Sequence, residues 1–240
     1  MRRSLIIGLL GLVALASCSV KEDRSDCPCW LTVRASYPQE LVSAWFGTRS
    51  LFNVNGGFVD RQVPRGIVDI VASHGRFSVP EGQQMDSLFA RRIPVDTDGE
   101  SAYARVTLCK NFATIELDFK DEDDGRTDYD LLATGTISGV DVRSLNPVEG
   151  SFSFVPEPNT DGRGYAFRVP RQKDETLKLL LSKDGNIVET IDLGHLIAKT
   201  GFDWKAESLG DIAILCDLPA HTFTITVKEW DGPVIFNITI

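Results

Sequence analysis

The chain has 240 residues and a formal net charge of −9, and 42% of its residues are hydrophobic. An acidic chain without a basic block is a poor binder of nucleic acid, so no nucleic-acid partner is expected. The ordinary apolar content excludes wholesale disorder, and the length suffices for one large all-β domain or two smaller ones.

The first segment has the layout of a secretory signal. Two arginines follow Met1, an apolar run covers residues 5–16, and small residues precede Cys18. That run is shorter than the roughly 20 residues of a membrane-spanning helix. Residues 15–18, Leu-Ala-Ser-Cys, resemble a bacterial lipobox, which implies cleavage before the cysteine and acylation of its thiol. We predict a signal peptide over 1–17 and lipidation at Cys18; the alternative is an ordinary signal peptide with an incidental cysteine.

Residues 18–28 are polar and lack periodicity, which predicts a lipidated tether between membrane and folded body. Ser19 follows the cysteine, and by resemblance to lipoprotein sorting rules this permits the outer membrane. The Lys-Glu-Asp run at 21–23 resembles the mark of surface-exported lipoproteins, although any solvated tether is charged. The expected location is the outer membrane, with the lipid as the membrane contact and the body at the cell surface.

From Cys29 onward the sequence has the pattern of short β-strands. Residues 29–37 alternate apolar and polar side chains, the period of two that is typical of a half-buried strand. Residues 102–119 carry the strongest strand pattern of the first half, and a bulge or tight turn is expected where Lys110 and Asn111 interrupt it. Strand-like runs also occur at 41–54, 67–72, 131–142 and 151–155.

Pro80 is expected to end a strand at residues 77–79, because proline cannot continue a hydrogen-bonded ladder. Ile93 and Pro94 lead into a predicted loop at residues 96–99.

The second half begins after the stretch richest in turn residues, 156–162. Asp184 and Gly185 lie between two apolar runs and predict a β-hairpin. Residues 194–201 hold the one plausible helix. Alternating residues predict strands at 165–169, 212–218, 222–228 and 234–240.

About a dozen short strands with almost no helix favour an all-β fold of the β-sandwich type. We predict an N-terminal β-sandwich over 29–157 and a C-terminal β-sandwich over 158–240.

Catalytic and metal-binding constellations are missing from the sequence, so no enzyme activity, metal or cofactor is expected. The three histidines have no zinc spacing to one another or to Cys27 and Cys29. The sequence also lacks a Gly-x-Ser-x-Gly turn and a glycine-rich phosphate loop. Pairing of Cys27 or Cys29 with Cys109 is left open, whereas Cys216 lies on an apolar face and is expected to be a small buried hydrophobe.

The whole layout resembles the fimbrillin-associated anchor lipoproteins of type V fimbriae. The resemblance depends on the order and spacing of four sets of segments: Cys18 with residues 21–23 and 27–29, residues 106–108 with 113–117, residues 193–197, and residues 223–230.

This resemblance implies two tandem transthyretin-like β-sandwich domains after a lipoprotein signal peptide. It implies a lipid-anchored protein at the base of a fimbria, bound to a fimbrial shaft or accessory subunit. Subunits of this kind join by strand addition, in which a segment of one chain extends the sheet of another. The candidate strand is 234–240; the other assignment places the exchange groove at 29–37, and the sequence leaves both open.

The alternative hypothesis is a surface glycan-binding lipoprotein whose β-sandwich presents exposed tryptophans. The candidates are Trp30, Trp45, Trp204 and Trp230. Trp30 and Trp230 fall on the polar side of their strands, but packing between sheets or domains also explains tryptophan. Tryptophans that line one cleft would favour glycan binding, and a loosely held last strand would favour the anchor.

Overall fold

A computed structural model describes residues 26–36, 41–46, 49–55, 58–120, 129–159, 164–229 and 232–239. The predicted signal peptide, Cys18 and most of the predicted tether lie outside the described residues. Within them, seventeen strands and one short helix confirm the all-β fold, which is built as two sandwiches in tandem.

The N-terminal sandwich consists of a three-stranded and a five-stranded sheet. The smaller sheet has the order β4 (Phe58–Val63), β1 (Cys29–Ser36), β7 (Ser101–Thr107). The larger sheet has the order β3 (Arg49–Asn55), β2 (Leu41–Phe46), β5 (Ile67–His74), β6 (Phe89–Asp96), β8 (Cys109–Lys110).

The alternation that predicts β1 fixes which of its side chains enter this core. Cys29, Leu31 and Val33 are buried, and they share a cluster with Ile70 and Ala72 of β5 in the facing sheet. The intervening residues of β1 face away from that cluster, as a period of two requires.

The C-terminal sandwich consists of a four-stranded and a five-stranded sheet. The smaller sheet has the order β11 (Pro147–Phe154), β10 (Asp130–Val140), β13 (Lys178–Lys183), β14 (Asn186–Ile191). The larger sheet has the order β12 (Gly164–Pro170), β9 (Phe112–Phe119), β15 (Asp211–Asp217), β16 (Thr222–Glu229), β17 (Gly232–Thr239). Helix α1 (Leu193–Lys199) adds Leu196 and Ile197 to the core between the two sheets.

Strand pairing divides the two sandwiches at Asn111 and not between residues 157 and 158. β9, β10 and β11 precede residue 157, but they pair with β12, β13 and β15 or with one another. The turn-rich stretch at 156–162 connects β11 to β12 inside one sandwich. Proline and glycine mark a change of chain direction, and such changes occur within a domain as well as between domains.

One other sequence prediction needs correction in the N-terminal half. Residues 77–79 do not form a strand, because only Ser78 makes an isolated bridge, with Gly139. β6 continues through Pro94 to Asp96, and the loop predicted at 96–99 follows at residues 97–100. β8 pairs only with Phe89 and Ala90 of β6, so one side of β6 is open at Pro94 and tolerates a missing N–H.

The predicted break at Lys110 and Asn111 is confirmed, and Asn111 lies between the two sandwiches. Its backbone N–H donates to Leu88 O at 2.8 Å, and its side-chain amide donates to Ala90 O at 2.8 Å. Its side-chain oxygen accepts a hydrogen bond from Arg171 Nε at 2.9 Å. The residue that interrupts the strand alternation is therefore hydrogen-bonded to both halves of the molecule.

Residues 75–88, which we call the junction segment, also cross from one sandwich to the other. They leave β5 and bond to the C-terminal sandwich before they enter β6. The N–H of Val79 donates to Ser138 O at 2.7 Å, and the N–H of Val140 donates to Phe77 O at 2.7 Å. Met85 and Leu88 are fully buried in a third cluster of apolar side chains at this crossing.

Candidate functional site

Only an edge of a β-sheet has unpaired backbone groups that can receive another strand. In the larger C-terminal sheet the two edges are β12 and β17. The β12 edge is covered by the junction segment. The N–H of Met85 donates to Arg168 O at 3.2 Å, and the N–H of Arg168 donates to Gln84 Oε1 at 2.9 Å. The β12 edge is therefore closed at its centre.

The opposite edge, β17, is open within the described part of the chain. It pairs with β16 without a register shift, from Thr222 opposite Thr239 to Glu229 opposite Gly232. No other described strand pairs with it. Residues 232–239 include no charged side chain. Natural edge strands are usually protected by charges, bulges or a covering segment, so the free side of β17 is a template for strand addition.

The side chains of β17 are less buried than those of its neighbour. Phe236 and Ile238 pack half-buried against the core, whereas Ile235 is 63% exposed. In β16, by contrast, Phe223 and Ile225 are buried. A cross-strand hydrogen bond from Thr224 Oγ1 to Asn237 Oδ1 at 3.0 Å supports the pairing. The last described strand therefore adds less apolar burial than β16 and leaves its outer row of backbone groups accessible.

The smaller C-terminal sheet also has an edge strand with exposed apolar residues, β14, which the sequence analysis did not single out. Ile187 is 64% exposed. This strand carries Glu189, and its pairing with β13 shifts register between Leu181 and Ser182. A charge and an irregular register are devices that discourage strand addition. Of these two edges in the described structure, β14 has a charge and a register shift, whereas β17 has neither and carries only Pro233 near its start.

The alternative exchange site at 29–37 is not an edge. β1 lies in the centre of its sheet, antiparallel to β4 on one side and parallel to β7 on the other. Both rows of its backbone groups are used, so a new strand would have to displace one of these neighbours.

The described start of the chain is held against the N-terminal sandwich. Arg65 Nε donates to Cys27 O at 2.8 Å, and Arg65 Nη1 donates to Asp98 O at 2.9 Å. The predicted tether therefore leaves the body beside the loops that contain Arg65 and Asp98. Cys18, the predicted lipidation site, lies outside the described residues.

The four described cysteines are free thiols, and they differ in exposure. Cys27 is exposed, Cys29 is buried, and Cys109 is half-buried. Cys216 is buried, as its apolar strand face predicts, and burial raises the pKa of its thiol to about 12. That thiol stays protonated at neutral pH and acts as a small hydrophobic side chain.

The two tryptophans whose side chains are described lie in different sandwiches. Trp30 is 49% exposed on β1, as its place on the polar face predicts. Trp204 is half-buried beside Phe202, with the ring centroids 4.7 Å apart, in the C-terminal sandwich. The side chain of Trp45 and all of Trp230 lie outside the described part.

No group of three or more His, Cys, Asp or Glu side chains in the described part of the chain is placed to hold a metal ion. His195 of α1 contacts Glu175 at 2.7 Å and is distant in sequence from His74 and His221. Among the described residues, no helix has the length and apolar character needed to cross a membrane.

Neither the known family models nor the curated proteins include a match to this chain. Solved structures do match it. A Bacteroides thetaiotaomicron protein proposed to bind polysaccharides aligns with a TM-score of 0.62 at 16% identity, over 88% of this chain and 98% of that chain. A proposed adhesin from the same organism aligns with a TM-score of 0.58 at 13% identity, over 88% and 99%.

The fimbrial anchor protein Mfa2 from Porphyromonas gingivalis has the same architecture. It aligns with a TM-score of 0.52 at 13% identity, over 85% of this chain and 98% of that chain. At such identities the likeness shows the fold alone: the chain has the two-sandwich, all-β architecture of these solved proteins over nearly their whole length.

Proposed function

We propose that this protein is an outer-membrane lipoprotein that anchors the base of a fimbria, and that it binds a fimbrial subunit by strand addition at the free edge of β17. One observation carries the proposal: β17 is an uncharged, regularly paired edge strand, while the opposite edge of the same sheet is covered by the junction segment. The shared architecture with a fimbrial anchor protein and with proposed adhesins supports a role at the cell surface.

Strand addition suits the chemistry of this edge. An incoming strand gains a row of backbone hydrogen bonds, and alternate side chains provide specificity. On β17 the exposed face presents Ile235 and Asn237, and the other face presents Phe236 and Ile238 toward the core. The partner segment that fits is an extended strand with apolar residues at alternate positions. The proposal assigns no catalytic step and no cofactor to the chain.

A glycan-binding surface built from several tryptophans is less well supported. Trp204 lines a cleft between the two sandwiches, and Trp30 is not among the residues that line this cleft. Polysaccharide binding is proposed for one structural neighbour, but the tryptophan platform that the sequence hypothesis requires is not built from Trp30 and Trp204.

The lipid half of the proposal predicts the effect of Cys18→Ala. Without the acylated thiol, the acidic body has no attraction to an anionic membrane, so the protein and its fimbriae should pass into the medium. Immunoblots of cell and medium fractions measure this release. Cys27→Ala is the matched control, because Cys27 is a nearby exposed cysteine outside the lipobox, and it should leave the protein on the cell. Retention of both protein and fimbriae by Cys18→Ala would contradict lipid anchoring.

The strand-addition part of the proposal predicts the effect of Ile235→Lys. A lysine on an edge strand disfavours pairing with another strand, because its charge would be desolvated in the extended sheet. We expect fimbriae to be shed while the lipoprotein itself stays on the cell, with the free energy of unfolding changed by less than about 1 kcal/mol because Ile235 is exposed. Electron microscopy of the cells and of the medium shows whether the fimbriae stay attached or are shed.

Ile187→Lys is the matched control for that experiment. The Ile187 side chain is 64% exposed, compared with 63% for Ile235, but it lies on the edge strand β14. Fimbriae should stay attached in this variant. If Ile187→Lys sheds fimbriae and Ile235→Lys does not, the β17 edge is the wrong surface.

A further inference from the structure

A cleft of about 700 Å³ lies where the two sandwiches meet. Ala90, Arg91 and Arg92 of β6 line it from the N-terminal side. The C-terminal side contributes the loop before β11, the residues that follow β12, and residues 203–207 after α1. Its volume is within the range of small-molecule sites, roughly 300–1,000 Å³, and exceeds what a single inorganic ion would fill.

The cleft is positively charged although the protein is acidic. Five cationic side chains line it: Arg91, Arg92, Arg171, Lys173 and Lys205. Its two carboxylates are Asp203 and Glu207, and Glu207 pairs with Arg91 at 2.5 Å. The chain as a whole has a net charge of −9. Asp69 and Glu149, which lie outside the lining, pair with Arg92 and Lys173, so the cleft keeps a small excess of positive charge that attracts an anion.

One of these cations is available without the loss of an ion pair. Arg92 pairs with Asp69 at 2.7 Å, Lys173 pairs with Glu149, and Arg171 donates to backbone carbonyls. The exposed Lys205 side chain has no ion-pair partner among the described residues, so it can bind a ligand carboxylate directly.

Two buried polar atoms of lining residues have no hydrogen-bond partner. One is a donor, Arg91 Nε, and the other is an acceptor, Gln172 Oε1. Gln172 is only 2% exposed, and its Nε2 donates to Pro170 O at 2.8 Å. Unpaired buried polar atoms are costly, and a ligand in the cleft can supply a partner to each of the two atoms when a small rotation of the side chain exposes it.

A ligand that satisfies both atoms carries an anionic acceptor and a neutral donor. Sulfate supplies acceptors for Arg91, but it lacks the donor that Gln172 needs. A sugar acid supplies both, a carboxylate for the cations and hydroxyl groups for the acceptor. Ser144 and Asn146 add further hydrogen-bonding groups to the lining, and the Trp204 side chain adds apolar surface that suits the carbon face of a sugar ring.

We infer that the cleft binds a saccharide that carries a carboxylate, such as a uronic acid unit. This inference does not depend on the anchoring proposal, because it uses neither the β17 edge nor the lipid. It also differs from a tryptophan platform, since charge and hydrogen bonding supply most of the recognition.

Isothermal titration calorimetry of the chain without its signal peptide tests this inference with digalacturonic acid as the probe. The neutral galactose disaccharide and a tetraglutamate peptide are the comparison ligands. We expect saturable binding of digalacturonic acid, weakened by added salt, and affinities at least about tenfold lower for both comparison ligands. The neutral disaccharide lacks the carboxylate, and the peptide lacks the sugar ring face that suits the Trp204 side chain.

Lys205→Gln should weaken binding of digalacturonic acid by about tenfold, the value of one hydrogen-bonded charge. Lys199→Gln is the matched control: Lys199 is an exposed lysine in the last turn of α1, outside the cleft, and its replacement should change the affinity less than twofold. Equal binding of the neutral disaccharide, tighter binding of the peptide, no binding of digalacturonic acid, or equal losses in the two variants would each overturn the inference.

Discussion

Gly75→Ala should destabilise the folded protein by about 4 kcal/mol, because two unfavourable effects combine at this position. Gly75 has a φ of +102°, in the region that favours glycine. An added Cβ would lie 1.8 Å from the backbone oxygen of Ser87. Gly75 and Ser87 both lie in the junction segment, and hydrogen bonds from this segment to β10 and β12 limit how far either residue can move. The free energy of unfolding from urea denaturation measures the loss.

Gly82→Ala is the matched control in the same segment. Gly82 also has a positive φ, +68°, but an added Cβ would meet no atom within 4 Å. The substitution should cost only about 1 kcal/mol, the strain of a left-handed alanine. Equal losses in the two variants would show that crowding against Ser87 contributes nothing to stability.

Arg171→Ala should cost about 4 kcal/mol and loosen the contact between the sandwiches. The Arg171 guanidinium is 7% exposed and donates to Asn111 Oδ1 at 2.9 Å, Trp204 O at 2.8 Å, Ala206 O at 2.7 Å and Glu207 O at 3.0 Å. Burial lowers the pKa of this guanidinium from its ordinary value, but the group stays charged at neutral pH. Its removal leaves one buried acceptor, Asn111 Oδ1, and three partly buried carbonyls without this donor.

Urea denaturation measures the stability change of Arg171→Ala, and hydrogen exchange at residues 203–209 reports the loosened loop. Arg171→Lys should recover less than half of the loss, because an ammonium group cannot reproduce the planar fork of donors. Arg143→Ala, at an exposed arginine before β11, should change the stability by less than about 0.5 kcal/mol. A similar loss in Arg143→Ala would mean that charge, and not the hydrogen bonds of Arg171, accounts for the effect.

The sequence predicts strand positions and faces well where the alternation of residues is clean. The buried faces of β1 and β16 follow directly from that pattern, with Leu31 and Ile225 inside. The Asp184 and Gly185 hairpin is confirmed, since both residues have positive φ, as a tight two-residue turn requires. In each of these cases the information is local.

Neighbour relations between strands are not local, and the sequence does not predict them. β1 pairs in parallel with β7, and β9 pairs in parallel with β15, each across a long stretch of chain. A period of two tells which face of a strand is buried but not which strand lies beside it. The division of the chain at Asn111 depends on these pairings, so a turn-rich segment was a poor guide to it.

The candidate site could be predicted only in part, because the sequence indicates strands but not which strands lie at the edges of the sheets. Residues 234–240 were recognised as a strand with apolar residues, but the exposure of its edge follows from the sheet order. The cleft at the junction was not predicted at all. It brings together Arg91, Gln172 and Lys205, which are far apart in sequence and share no motif.

The junction segment has a consequence for how the protein is made. A chain that emerges N-terminus first presents Met85 and Leu88 before β10 and β12 exist, so these two apolar side chains have no burial site during that interval. Domains usually fold one after another as they are synthesised. The N-terminal sandwich cannot complete the packing of the junction segment until the C-terminal sandwich has been synthesised. The two sandwiches should therefore fold as a single cooperative unit.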